Sequence, residues 1–542
     1  MGLQHRSAAR VRALLSTGAA LAVVTSGGLW GTARAAVPGT AATGPAASAV
    51  RWTATALAPG VEVRSAALGN AGAEPVWTVT VQAPATGRLS GAATWAPVGT
   101  RYWADDTAAR LRAAGHPPRV EKVYWPMYSD TPHGVMGMRV RIGTYATEAA
   151  ARTVARTVTA AGFHTAVDWT GYDADQPADR QNVHVAVVDP RRFTGTVRGT
   201  HDGNVAQRAT TSSVAARLGS LVGVNGGFFV TSDADGVQGT QSGLSADDGV
   251  LQSMAAGSRA ALIVEGGGKR ARVADLTTAV TVSAGARHHD VQGINRTPGL
   301  VRDCGRPGVT PSERPWQDVT CHISDELVLF TDEFGAPLPT GPGAQAVLDA
   351  AGRVVSAGAR GGSVPAHGTV VQGIGPAAGW LTAHAHRGER IDVRADVRDT
   401  AGRPVRLERG DSVVSAAPTL VRRGRTDIDA ATEGVVDPRD LSFGYAWANA
   451  RQPRTMAGVD ARGRLILATV DGRRTGGGSE GFTLQEAASF MRSLGAVDAL
   501  ALDGGGSTAM AVGGVLVTSP SDTTGERAVG GTLQVLPSAP RR

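Results

Sequence analysis

The sequence predicts an α+β protein of two unlike parts, a large β-rich domain and a small ferredoxin-like (βαβ)2 domain. Three observations carry this expectation. The 72 glycines and 28 prolines among 542 residues call for many turns. Short strand-like apolar runs recur from residue 176 onward, with few helical patterns between them. Between residues 75 and 172 the pattern is instead strand, helix, strand, twice over.

Taken in chain order, Arg6, Arg10 and Arg12 precede an apolar stretch, Ala13 to Val24, and Ala33-Arg34-Ala35 has the A-x-A form of a processing site. Residues 1–35 read as a secretory signal peptide, because the apolar run is shorter than the roughly 20 residues a membrane span needs. Residues 36–50 are Ala, Gly, Pro and Ser, and read as a flexible leader. No later segment reads as transmembrane. The mature chain is therefore expected to be secreted or cell-wall associated, with no integral membrane segment.

Residues 51–74 form an N-terminal strand segment of the large domain. Within 75–172, WTVTVQA, RVEKVYW, MRVRIGTY and HTAVDW alternate as strands. Ala104–Gly115 reads as a helix with Asp105 and Asp106 at its N-terminus, and 147–162 as a helix capped by Thr147 and ended by Gly162. Residues 176–537 form the large domain, with strands in NVHVAVVD, ALIVEG, ELVLFTD, RIDVRADV, LILATVDG and ALALDGG. Thr211–Leu218 is a short helix. Leu484, Ala487, Ala488, Met491 and Leu494 line one helix face, with Thr483 and Glu486 spaced as a capping box.

The net charge of +7 is almost wholly arginine, since lysine occurs only at Lys122 and Lys269. No basic run is interleaved with aromatics, which speaks against a nucleic-acid partner. The two cysteines, Cys304 and Cys321, are expected to form a disulfide in an exported chain. The sequence points to no metal or cofactor. Asp233-Ala-Asp235-Gly236 resembles the start of a calcium loop but lacks the rest and the distant Glu, so a structural calcium ion has little support.

The chemistry centres on ALALDGGGSTAMAV, residues 499–512. It is not a P-loop, having no Gly-Lys-Ser/Thr, and not a nucleophile elbow, having no G-x-S-x-G. It places an acid at a strand end above a turn whose backbone amides no side chain shields, an arrangement suited to an anion. A plain glycine-rich hairpin would look the same. Further loops offer similar groups: VNGGFF (224–229), QPRTMAGV (452–459), VDGR (470–473) and SPSDTTGERA (519–528).

The series VNGGFF, AAPTLVRRGR, QPRTMAGVDARGRLILATVDGRR, GFTLQEAASFMRSLGAVDALALDGGGSTAM and SPSDTTGERAVGGTLQV resembles the phosphodiester glycosidase family. AAPTLV departs from the family's glycines before the proline. The resemblance implies hydrolysis of a sugar C1–O bond in a sugar-1-phosphate diester, giving sugar and a phosphomonoester. On that reading Asp503 is the first catalytic carboxylate, with Asp471 and Glu526 next. Arg454 and Arg527 clamp phosphate through planar, two-toothed contacts. Asn225, Gly226, Gly227, Gly504, Gly505, Gly506, Ser507 and Thr508 orient the substrate. MRVRIGTYATEAAARTVARTVTAAGFHTAV resembles the SPOR domain, which implies binding of peptidoglycan glycan strands at the cell envelope. The alternatives are a non-catalytic binder of wall glycan or sugar phosphate, and a phosphodiesterase cutting the P–O bond.

Overall fold

The computed structural model describes residues 50–70, 72–85, 94–305, 314–474 and 478–538. The expected signal peptide and all but the last residue of the leader lie outside them. Residues 50–542 cluster as one compact unit. Among the described residues no helix is long and apolar enough to cross a membrane.

Two antiparallel sheets position the site. The larger has eight strands in the spatial order Thr53–Ala58, Val61–Gly69, Arg180–Val188, Leu465–Val470, Arg454–Asp460, Ala496–Ala501, Thr419–Arg422 and Arg425–Thr426. The smaller has five: Thr196–Thr200, Thr532–Leu536, Val222–Asn225, Met510–Val512 and Val515–Leu516. All six residues of Leu465–Val470 (LILATV) are buried, as an unbroken apolar run requires when both faces of a sheet are covered. One core joins Met456, Leu467 and Leu500 of the larger sheet to Val224, Met510 and Leu533 of the smaller, and also takes in Leu484, Ala487 and Met491 of the helix Leu484–Ser493. That helix begins with a complete Thr483–Glu486 capping box.

A further five-stranded sheet, Gly293–Ile294, Glu326–Thr331, Thr369–Ile374, Ala344–Leu348 and Val354–Gly358 in spatial order, carries the helix Pro376–His384 and has its own core. Beside it the hairpin Leu300–Arg302 and Thr320–His322 holds the disulfide Cys304–Cys321.

Residues 75–172 leave and re-enter between neighbouring strands of the eight-stranded sheet, because Val61–Gly69 pairs along its whole length with Arg180–Val188. The excursion forms its own antiparallel sheet, ordered Arg119–Tyr124, Val135–Tyr145, Trp77–Val81, Thr165–Trp169. Helices Arg101–Ala113 and Glu148–Ala160 pack Ala104, Leu111, Ala151 and Val158 against Val79, Val81, Val140 and Ile142. The first helix starts earlier than expected, with Thr100 as its cap. Asp105 and Asp106 therefore lie within the helix and pair with Arg101 and Arg110 at 3.5 and 3.7 Å.

Strand alternation puts Arg139 and Arg141 on the opposite face, where both are buried. Arg139 pairs with Glu121 and Asp173 at 2.9 Å each, and Arg141 also pairs with Asp173. The sheet face that the SPOR resemblance would offer to glycan thus carries a charged network tied to the chain that follows it.

Candidate active site

Asp503 follows the strand Ala496–Ala501 of the larger sheet, and Met510–Val512 belongs to the smaller one. The turn DGGGST therefore carries the chain from one sheet to the other at their shared rim. That crossover explains the sequence pattern of two buried runs separated by bare backbone.

Asn225 fixes this turn. Its Nδ2 donates to the Asp503 carbonyl at 2.7 Å, while its Oδ1 accepts from Thr455 Oγ1 at 2.6 Å and from the Ala509 amide at 3.1 Å. The Asp503 amide donates to the Gly226 carbonyl at 3.1 Å. Asn225 is fully buried and both ends of its side-chain amide are bonded to the chain, so it positions the turn. Gly226 and Gly227 are required by close backbone: an added Cβ would lie 2.9 Å from the Gly531 carbonyl and 2.0 Å from that of Ser415.

The turn is less open than the sequence implies. The Gly505 amide donates to Pro453 O at 2.9 Å, and the Ser507 and Thr508 amides donate to Gly504 and Gly505 carbonyls at 3.2 Å each. The expected array of free amides is thus largely closed on itself. The hydroxyls of Ser507 and Thr508 are buried and make no hydrogen bond of ordinary geometry among the described residues.

Two arginines flank the turn. Arg473, at φ 56°, lies with its guanidinium nitrogens 3.3 and 3.7 Å from where a Gly505 Cβ would be. Its one hydrogen bond among the described residues is from Nε to Gln452 Oε1, at 2.5 Å. Arg527 presses on Gly506, where a Cβ would meet its Nη2 at 2.1 Å, and it forms a two-toothed pair with Asp522 at 2.8 and 3.0 Å.

Arg454, the first sequence choice for phosphate, is instead a buried strut. Its guanidinium donates to the carbonyls of Phe482 (3.0 Å), Ala450 (3.2 Å) and Trp447, and stacks 4.7 Å over the Trp447 ring. Burial lowers its pKa to about 10. Arg473, beyond the end of the next strand, is exposed, whereas Arg454, which the sequence assigns to phosphate, is buried.

Burial pushes the Asp503 carboxyl up to about 7, and the neighbouring charge of Asp318 adds to this; Ser507, Arg527 and the Gly504 backbone oppose it. Asp318 itself is raised, first by the protein around it and then by Asp303, against the pull of Arg302 and Arg259. Its side chain remains 75% exposed. Arg302 Nη2 holds it at 2.6 Å, and its amide donates to Asp303 Oδ1 at 2.9 Å.

Beneath, Arg259 pairs with Asp303 at 2.5 Å, donates to the Glu433 carbonyl at 2.9 Å and stacks 5.3 Å over Phe228; its buried Nη2 has no partner among the described residues. Phe228 meets Trp447 edge-on at 5.9 Å. Trp447 and Asp318 line a cavity of about 220 Å³. The charge of Asp318 links this aromatic-walled cavity to the Asp503 turn and its two flanking arginines.

The other acids have different work. Glu526 binds the N-terminus of helix Thr211–Leu218, accepting from the Ser212 amide at 2.9 Å and from its hydroxyl. Asp471 is buried and anchors the 519 loop through the Ser519 amide at 3.0 Å, with its carbonyl held by Ser479. In the calcium-like stretch, Asp235 accepts from Thr320 and lies 3.3 Å from Arg302. Among the described residues no three His, Cys, Asp or Glu cluster as a metal site.

Residues 342–536 match the phosphodiester glycosidase family. The matched segment contains Arg473, Asp503 and Arg527; Asp318, Arg259 and Asn225 lie before it. The mouse and human N-acetylglucosamine-1-phosphodiester alpha-N-acetylglucosaminidases are 32% and 31% identical over 111 residues, 20% of this chain and 21% of each relative. The chain therefore spans about a fifth of the length of these curated relatives. A candidate exported protein of Burkholderia pseudomallei K96243 is 32% identical with a TM-score of 0.77, covering 93% of this chain and 100% of that one. The fold is thus shared almost end to end with that protein, and the family match rests on the C-terminal part.

Proposed function

We propose that the chain is an exported phosphodiester glycosidase that hydrolyses the C1–O bond of a sugar-1-phosphate diester. The observation that carries this reading is the Asp503 carboxyl, raised to about 7, beside a turn flanked by Arg473 and Arg527. Arg473 and Arg527 hold the phosphate, whose leaving oxygen needs little proton donation. Charge builds at C1 as the bond breaks, and the carboxylates of Asp318 and Asp503 face it. In its ionised form Asp503 takes the proton of the attacking water. The family match and the short stretch shared with the glucosaminidases support this chemistry. The likeness to a candidate exported protein supports export.

A pure receptor for sugar phosphate would have no use for a carboxyl poised near neutrality next to a second acid. Hydrolysis of p-nitrophenyl-phosphoryl sugars, followed by release of free sugar, tests the proposal. No turnover across glucosyl, N-acetylglucosaminyl and galactosyl diesters would leave the receptor reading in its place.

A further inference from the structure

We infer that the junction between the 75–172 module and the large domain is a second binding site, for an uncharged carbohydrate ring. A cavity of about 290 Å³ lies there, lined from the module by Trp125, Met127 and Arg139, and from the large domain by Tyr445, Asn449 and Gln485. Neither part encloses it alone. Tyr445 lines both this cavity and the Asp318 cavity, and it opens the π-turn Tyr445–Asn449, a backbone form concentrated at functional sites.

Three features select the ligand. The rim is aromatic and apolar, with Met127 69% and Tyr124 57% exposed. Trp125 and Met127 give it a flat, polarisable surface that suits the C–H face of a pyranose. Asn449 Oδ1 and Gln485 Oε1 are buried and have no hydrogen-bond partner among the described residues, an unfavourable state that hydroxyl donors would relieve. The lining charges are already paired: Arg139 with Asp175 at 3.4 Å, and Glu486 with Arg451 at 2.7 Å. A phosphate or other anion would find no free cation here, and an ammonium no free carboxylate. A donor-rich, uncharged molecule with one apolar face fits.

The test uses the full-length protein, with triacetylchitotriose and maltotriose as probes, followed by titration calorimetry and tryptophan fluorescence. At least one probe should bind saturably, and excess inorganic phosphate should not displace it. Trp125→Ala and Gln485→Leu should each weaken binding at least tenfold, and Arg473→Ala should not. Met127→Ala, at the exposed rim, provides a second variant should Trp125→Ala fold poorly, with an expected loss of several-fold. Turnover of a small diester should stay unchanged in Met127→Ala and Gln485→Leu, which separates this site from the proposed active site. The inference is overturned if neither sugar binds, if these variants bind as the parent does, or if phosphate competes.

Discussion

Replacing Asp503 with Asn tests the electrostatics of the site before any substrate is chosen. The folded-state pKa is about 7, against about 3.9 for an unperturbed aspartate. A carboxyl raised on folding binds its proton more tightly in the native state. It therefore costs nothing below about pH 4 and destabilises progressively as pH rises through 7. Three units at about 1.36 kcal/mol each give about 4 kcal/mol; discounting for the partial exposure of Asp503 leaves roughly 2–4 kcal/mol. Asn cannot ionise, so the variant should gain that much relative to the parent between pH 4 and pH 8. Glu433, also raised to about 7 by burial, shifts parent and variant alike and cancels in the comparison. Chemical denaturation of both proteins at pH 4, 6 and 8 reads the difference directly. Parallel stability curves would refute the raised pKa, and with it the assignment of Asp503 as the proton acceptor. The same variant should lose about 10²–10⁴-fold in turnover, and the parent's rate should rise with pH through about 7.

Arg473→Ala should lower kcat/KM by on the order of 10- to 100-fold, one charged hydrogen bond's worth, with melting unchanged. Arg454→Met should instead destabilise by roughly 3 kcal/mol or more, since it orphans buried carbonyls, and a thermal melt separates the two arginines. Glu526→Ala should cost about 0.5–2 kcal/mol through the helix Thr211–Leu218 while leaving turnover within a few-fold of the parent. Mutating both Cys304 and Cys321 to Ser should lower stability by about 3 kcal/mol, given a separation of 17 residues, and should also weaken activity because their loop carries Asp318.

The elements were legible where the sequence pattern is local. The capping box at Thr483 and Glu486, the unbroken LILATV strand and the two strand–helix–strand repeats each declare themselves in contiguous sequence. The sequence placed Asp503 and its turn at the centre of the site because an acid among glycines is visible as a string. What it could not show was direction. Arg454 and Arg473 both sit at strand ends, and only the packing of Trp447 and Phe482 turns the first inward. Glu526 and Arg527 are neighbours in sequence but point to a helix N-terminus and to the glycine turn respectively. Asp318 was missed because nothing near it in sequence resembles a site; the disulfide hairpin delivers it across the fold. The helix Pro376–His384 went unread, its short Ala- and Gly-containing stretch giving little periodicity.

The bond that breaks is the central claim, and isotope placement tests it most directly. A sugar-1-phosphate diester hydrolysed in ¹⁸O-water should yield sugar carrying the label at C1 and a phosphomonoester with none, read by mass spectrometry and by the ³¹P chemical shift. Label in the phosphate product, whether a phosphomonoester or a sugar-1-phosphate, would contradict C1–O cleavage and make the protein a phosphodiesterase.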